Sequence, residues 1–329
     1  MGGEILKKYL IAAVVAIAVI AGGAAYYYST AGAVKTQLRI GGSTSLMPFM
    51  MKVAAYVGEE HRMTWKQIGE QVGVQGLPDE PVQLMVSDGG SSAGIKGLIE
   101  GTFDIAMASR PLKPEEAQQL SDPVMCPVVL SAIVPIVNGK TLGQLDDIDP
   151  KTLRDIYTGK IKYWDQVKPG LPHKKIVVIG RAKGSGTRST FDKYLNIQDY
   201  TKDAILCGSN SEVLEKVEKT PYAIGYVDYA YVVKAKKGGK VPSAVKPLKV
   251  NGVEANEQTI IAKKYPLVRA EYLIIDRSNA PKTAIALIKW IRKPDVNKEF
   301  AEKVGYVPVP EDAPLFSKKP YIEIKPLVK

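Results

Sequence analysis

Four times along the chain a short aliphatic run breaks into a cluster of small residues and then opens an amphipathic helix. That alternation confines the fold to open α/β sheets with mostly parallel strands, in which ligands bind at the carboxyl ends of the strands. The first copy is QLRIGGSTSLMPFMMKVAAYV. Leu38 and Ile40 end a strand, Gly41 and Gly42 turn, and Ser43, Thr44 or Ser45 is placed to cap a helix whose buried face is Leu46, Phe49, Met50, Val53, Ala54 and Val57. The second is VQLMVSDGGSSAGIKGLIEG, with a strand from Val82 to Val86, Ser91 or Ser92 as cap and Gly101 as stop. The third strand, Phe103 to Met107, runs into Ala108-Ser109-Arg110, and Pro114-Glu115-Glu116 then starts a helix with proline first and acids in the first turn. The fourth is KIVVIGRAKGSGTRSTFDKYL: a strand from Ile176 to Ile179, the loop Gly184-Ser185-Gly186-Thr187, and a helix burying Phe191, Tyr194 and Leu195.

Such loops make an anion cradle. A helix N-terminus presents unpaired N–H groups and about half a positive charge. Hydroxyls add rotatable donors, and glycines admit close backbone approach. Arg110 and Arg181, both at strand ends, would add charge-assisted hydrogen bonds. The rest of the composition leaves little else to build with. Only two histidines (His61, His173) and two cysteines (Cys126, Cys207) occur, which argues against a metal site, a zinc ribbon, an iron–sulfur cluster or a disulfide-dense scaffold. The formal charge of +11 suits an acidic partner. No basic stripe interleaved with aromatics marks a nucleic-acid binder. Lys234, Lys236, Lys237 and Lys240, broken by Gly238 and Gly239, read as a solvated loop.

Two motifs imitate other chemistries. GRAKGSGT lacks the Gly-Lys-Ser/Thr of a Walker loop, since Gly184 is followed by Ser185. Gly90-Ser91-Ser92-Ala93-Gly94 does match G-x-S-x-G between a strand and a helix, so a hydrolase with Ser92 as nucleophile is a formal alternative. The one downstream histidine, His173, sits in what reads as an exposed turn, Pro172-His173-Lys174-Lys175.

At the N-terminus no residue from Tyr9 to Val34 is charged, and Lys7 and Lys8 precede the run. A spanning helix needs ~20 residues and a secretory apolar region only ~7–15. Residues 1–35 therefore read as an uncleaved membrane anchor, with Tyr26, Tyr27 and Tyr28 at the interface and the bulk of the chain outside the cell. The other reading is a long signal peptide cut after Ala31-Gly32-Ala33.

The segments GSTSLMP, DGGSSAGIKGLIEGTFDIAMASRPLKPEE, LRDIYTGKIKYW, GRAKGSGTR, PYAIGYVDYA, YPLVR and GYVPVP, in this order from about residue 38 to 310, carry a resemblance. The chain resembles the phosphate-binding proteins of phosphate ABC transporters, a branch of the type II periplasmic binding proteins. The resemblance implies a two-domain α/β fold with a hinge. The first domain would be 36–134 plus 228–329 and the second 135–227. It implies a monomeric, non-enzymatic receptor, without metal or cofactor, that closes on inorganic phosphate and delivers it to ABC permease subunits. By position it places the ligand on Thr44, Ser45, Leu46, Ser91, Arg110, Arg181, Ser185, Gly186 and Thr187. Sulfate, molybdate or tungstate would be the alternative ligands of the same site.

Some members carry an Asp where this chain has Arg110, and that Asp would accept a hydrogen bond from a protonated phosphate and repel a fully deprotonated oxyanion such as sulfate, so with Arg110 that residue does not secure phosphate over sulfate. Ser92 replaces a usual Gly. Cys126 and Cys207 could form a disulfide outside the cell, but across the implied domains it would hamper the hinge. Residues 58–80 are long for a link and receive no role; Trp164 reads as core.

Overall fold

The computed structural model describes residues 35–233 and 244–328. The anchor expected at 1–35, all but Lys35, and the lysine-rich segment expected after Val233 lie outside the described residues. Among the described residues, no helix is long and apolar enough to cross a membrane.

Eight strands form the main path: β1 (Gln37–Gly42), β2 (Gln83–Ser87), β3 (Ile105–Ala108), β4 (Pro123–Asn138), β5 (Val177–Arg181), β6 (Ile205–Cys207), β7 (Ala223–Asp228) and β8 (Val268–Asp276). Their order is β2-β1-β3-β8-β4-β7-β5-β6. The flanks are parallel, as the strand–helix alternation predicts. The centre is not: β8 runs antiparallel to β3 and β4, and β4 antiparallel to β7. The reason is that β4 and β8 carry the chain across the molecule in opposite directions. The partner change falls at one peptide of β4, where Ala132 pairs with Val268 and Ile133 with Asp228. β4 is all but wholly buried over its 16 residues, and its sequence is accordingly apolar nearly throughout, with Ser131 and the terminal Asn138 as its polar side chains, in place of alternation. Pro127 sits where the β4–β8 register shifts, at a position that cannot donate to the ladder.

Helices pack on both flanks: α1 (Met47–Ala55), α2 (Trp65–Val72), α3 (Ser91–Ile99), α4 (Pro114–Ala117), α5 (Pro150–Tyr157), α6 (Gly186–Leu195) and α7 (Asn210–Lys219). Ser185 caps α6, Asp149 caps α5 and Ser209 caps α7 through their side chains. Two expected caps are absent. Leu46 stands at the N-cap of α1 and Gly90, at φ 89°, at that of α3, and neither gives a side-chain bond. Ser91 is used for a longer-range contact with the Ser109 N–H, and Ser43 accepts from the Leu46 N–H from one turn before the helix. The link at 58–80 holds a π-helical turn, Tyr56–Glu60, and α2, whose Thr64–Gln67 capping box turns fully buried Trp65 inward. Trp164 is fully buried as expected. Cys126 and Cys207 are buried free thiols, and no disulfide joins them. Cys126 lies on β4 and Cys207 at the end of edge strand β6, on opposite sides of the crossing. Burial pushes their thiols up to about 12 and about 11.

Candidate functional site

Thr44, Ser45 and Leu46 follow β1, Ser91 opens α3, and Ser109 and Arg110 follow β3. From the other flank come Arg181, the last residue of β5, and Ser185, Gly186 and Thr187 around the start of α6. The two sets touch. Ser45 Oγ and Thr187 Oγ1 are 2.9 Å apart, and Arg181 Nη2 donates to Thr44 Oγ1 at 3.0 Å. Ser92 N donates to the Gly184 carbonyl at 3.1 Å, and Thr190 Oγ1 to that of Ser109 at 3.1 Å. Gly186 is required by this approach: a Cβ there would stand 2.2 Å from Ser91 Oγ and 2.9 Å from its Cβ.

Arg181 is 1% exposed and makes no ion pair among the described residues. Its Nη2 also donates to the Gly208 carbonyl at 2.7 Å and its Nε to that of Cys207 at 3.4 Å. Nη1 is buried without any acceptor. Burial draws the guanidinium below its ordinary pKa, although not to where it would lose its proton. A buried cation lacking a counter-charge is costly to fold. At a meeting of two flanks it is what an anion site needs.

Hydroxyl polarity follows from the neighbours. Asn210 Oδ1 accepts from the Asp228 N–H at 3.1 Å, which turns Nδ2 toward Ser45 Oγ at 3.0 Å. Arg269 Nη2 donates to the same oxygen at 3.1 Å. With both lone pairs taken, Ser45 gives its proton to Thr187, leaving the Thr187 proton free to donate. Thr44 Oγ1 receives Arg181, and Ser91 Oγ receives the Ser109 N–H at 3.0 Å, so each keeps its own proton for another acceptor. Thr44, Ser91, Thr187 and Arg181 Nη1 thus form a set of donors, suited to the oxygens of a tetrahedral anion.

The remaining expected residues have other tasks. Ser185 Oγ is taken up as the α6 cap, by the Arg188 N–H at 3.2 Å. Leu46 is fully buried, its N–H on Ser43 Oγ. Arg110 does not join Arg181. Its two terminal nitrogens grip Glu116 at 2.7 and 2.6 Å, and Nη2 reaches Ser92 Oγ at 3.1 Å. Burial would raise the Glu116 carboxyl, but the Arg110 bonds outweigh it and hold it below the usual range. The positive charge expected from Arg110 is therefore met by its own neighbour. The serine-hydrolase alternative fails on geometry: Ser92 Oγ is bonded by Arg110, while exposed His173 pairs with Asp165 at 2.9 Å and stacks on Tyr163.

Sequence reasoning missed the floor of the site. Arg269 and Glu271 on β8 and Asp228 at the end of β7 are wholly buried. Arg269 Nη2 lies 2.6 Å from Asp228 Oδ2 and 2.8 Å from Glu271 Oε1. Ser131 Oγ donates to Asp228 at 2.7 Å, and Ser109 Oγ to Glu271 Oε2 at 2.6 Å. Ser43 Oγ is bonded to Ser109 Oγ. The available signal was charge inside an otherwise aliphatic strand, VRAEYLIID.

A family model described as a PBP superfamily domain matches residues 29–294. The phosphate-binding protein PstS of Bacillus subtilis (strain 168) is 27% identical over 275 residues, covering 83% of this chain and 80% of that protein. PstS of Staphylococcus aureus (strain USA300) is 30% identical over 237 residues, 70% of each. Among solved structures, a Clostridium perfringens protein assigned as the substrate-binding protein of a phosphate ABC transporter, with bound phosphate, superposes with a TM-score of 0.68 at 27% identity, covering 83% of this chain and 100% of that one.

Proposed function

The chain belongs to the PBP superfamily, and on that premise we propose that it is an extracytoplasmic receptor that binds inorganic phosphate between two α/β domains and delivers it to an ABC permease. The observation that carries this reading is Arg181: a buried guanidinium with no acidic partner among the described residues and an unbonded Nη1, set among the donor hydroxyls of both flanks. The domains are 36–134 plus 228–329 and 135–227, and β4, which changes partner between Ala132 and Ile133, crosses their junction. Thr44, Ser45, Leu46 and Ser91 offer one half of the cradle, and Arg181, Ser185, Gly186 and Thr187 the other. Arg110 acts from the rim, through Ser92 and Glu116. The anion favours closure because only the closed form brings both halves to it. No bond is made or broken in the ligand. The apolar run before Lys35 anchors the receptor beside its permease, with the remainder outside the cell.

Calorimetric titration with phosphate, and then with sulfate, of protein freed of copurified anion tests the reading. Phosphate is expected to bind at micromolar concentration or below. Sulfate binding equally well would make this a general oxyanion receptor, and binding of neither would overturn the reading. A Cβ at Gly186 should prevent the approach of α6 to Ser91. Gly186→Val is therefore expected to lose at least ~10-fold in phosphate affinity, the loss on the order of 1.4 kcal/mol, while the melting temperature without phosphate changes little. An unchanged affinity would mean that this approach is not part of the bound state.

A further inference from the structure

Beneath the cradle one guanidinium faces two carboxylates. Arg269 Nη2 touches both, Asp228 Oδ2 at 2.6 Å and Glu271 Oε1 at 2.8 Å, and all three side chains are at most 1% exposed. With both carboxylates ionised, the cluster would carry a net negative charge out of reach of water. Like-charged groups on one nitrogen in a low-dielectric site do not both ionise readily. The bonding pattern leaves a place for one proton. Asp228 Oδ2 accepts from Arg269 and Ser131, and Oδ1 from the Ala230 N–H. Glu271 Oε2 accepts from Ser109. Glu271 Oε1 is buried and has no well-directed donor, and Asp228 lies within hydrogen-bonding reach of Glu271.

We propose that Glu271 and Asp228 hold a single proton between them, and that Glu271, acting through Ser109, is a positioning residue that couples that proton to the anion. This rests on the anion-receptor reading above for its second half only. The proton sits on Oε1 of Glu271 and faces Asp228, and Oε2 stays free to orient Ser109. Ser109 in turn sets both ends of the floor. Its N–H holds Ser91 Oγ, so that the Ser91 proton points elsewhere, and its hydroxyl closes the bond to Ser43. Arg269 makes the second link, to Ser45.

The titratable and charged groups that interact with Glu271 are Arg269 and Tyr272 from its own strand, Asp228 from β7, Tyr231 from the helical turn after it, and Tyr306 beyond the helix Pro294–Val304. Only Arg269 is positive. Burial raises the Glu271 carboxyl well above the ordinary range, and Asp228 raises it further, against the pull of Arg269. A bound dianion adds negative charge above the same hydroxyls and opposes ionisation of the pair. Where Glu271 has begun to ionise, binding therefore draws a proton from water onto it. At lower pH, where the pair already holds its proton, that uptake vanishes.

The experiment is phosphate calorimetry in buffers of different ionisation enthalpy, from pH 6 to pH 9, on the full chain and on Glu271→Gln. Gln keeps an oxygen for Ser109 and an N–H for Asp228 but cannot titrate. Subtracting the variant removes the ionisation of phosphate itself. The expected difference is near zero at the acid end and rises toward at most about one proton per anion at the alkaline end. At pH 6 the Gln variant, which still accepts from Ser109, should lose less phosphate affinity than Glu271→Leu, which frees Ser109 and should lose about tenfold or more. Identical proton counts in wild type and Gln variant would overturn the coupling. The shared proton is read without ligand, by the carbon-13 shift of the Glu271 carboxyl against pH. Titration in the ordinary carboxylate range would overturn that half, and failure of the wild type to bind phosphate would sink the receptor reading while leaving this measurement intact.

Discussion

Arg181→Met is expected to remove phosphate binding while leaving the ligand-free protein about as stable as before. The two halves of that result come from one fact, the lack of an acidic partner. In the folded chain the guanidinium is desolvated and repaid only by carbonyls and one hydroxyl. Replacing such a group with an apolar side chain of similar length gives up those bonds but also relieves the buried charge, and the balance should lie within about 1 kcal/mol. Binding has no such compensation. Truncating one partner of a buried, hydrogen-bonded charge pair costs about 2–5 kcal/mol, or roughly 30- to several thousand-fold in Kd. Arg181→Lys should lie between, because it restores the charge without the fork. Calorimetry gives the affinity and thermal denaturation without phosphate gives the stability. A variant that loses both together would mean Arg181 is a structural residue. One that loses neither would move the anion to a different place.

The same comparison explains what could be read from the sequence. That Arg181 and Thr187 come together where the two flanks meet could be anticipated because their signals are local: a cation at a strand end, and hydroxyls and glycines ahead of a helix. The parallel flanks were legible for the same reason, since each strand is followed at once by the helix that returns it. What failed was non-local. The direction of β4 and β8 depends on where a strand more than a hundred residues away is laid down. Ser91 was read as a cap and Ser109 was given no role, because their partners come from other elements: the Ser109 N–H for Ser91 Oγ, and Ser43 and Glu271 for the Ser109 hydroxyl. Asn210 and Arg269 meet Ser45 only once both flanks and the crossing strands are assembled. Arg110 is different. Its partner Glu116 lies in the first turn of the next helix and was visible, but charge at a strand end was read as ligand chemistry before the neighbouring acid was considered.

Arg269→Met is expected to be the most destabilising substitution in the site, by about 3–5 kcal/mol, and the loss should depend on pH with a definite sign. Among the described residues Arg269 is the sole cation paired with Asp228 and Glu271, and its own pKa is raised by them against the effect of burial. Without it, Glu271 loses the one group that pulls its carboxyl down, and burial beside Asp228 raises its folded-state pKa further. A carboxyl raised in the folded state supports folding fully below its unfolded pKa, near 4, and loses that support as pH climbs through the raised folded value. The defect should therefore be mildest near pH 5 and deepen toward pH 8. Surface carboxylates lowered by lysine or arginine, such as Asp122 with Lys318 and Arg277, run the other way and lose their contribution as pH falls. Thermal denaturation of wild type and variant at the two pH values separates the cases, with a deficit on the order of 10 °C expected at the alkaline end. Adding Glu271→Gln and Asp228→Asn to Arg269→Met should recover most of the loss at pH 8, because the charge and not the packing was at fault. A deficit that is equal at both pH values, and that the neutral pair does not repair, would assign Arg269 a packing role and remove the electrostatic account of the floor.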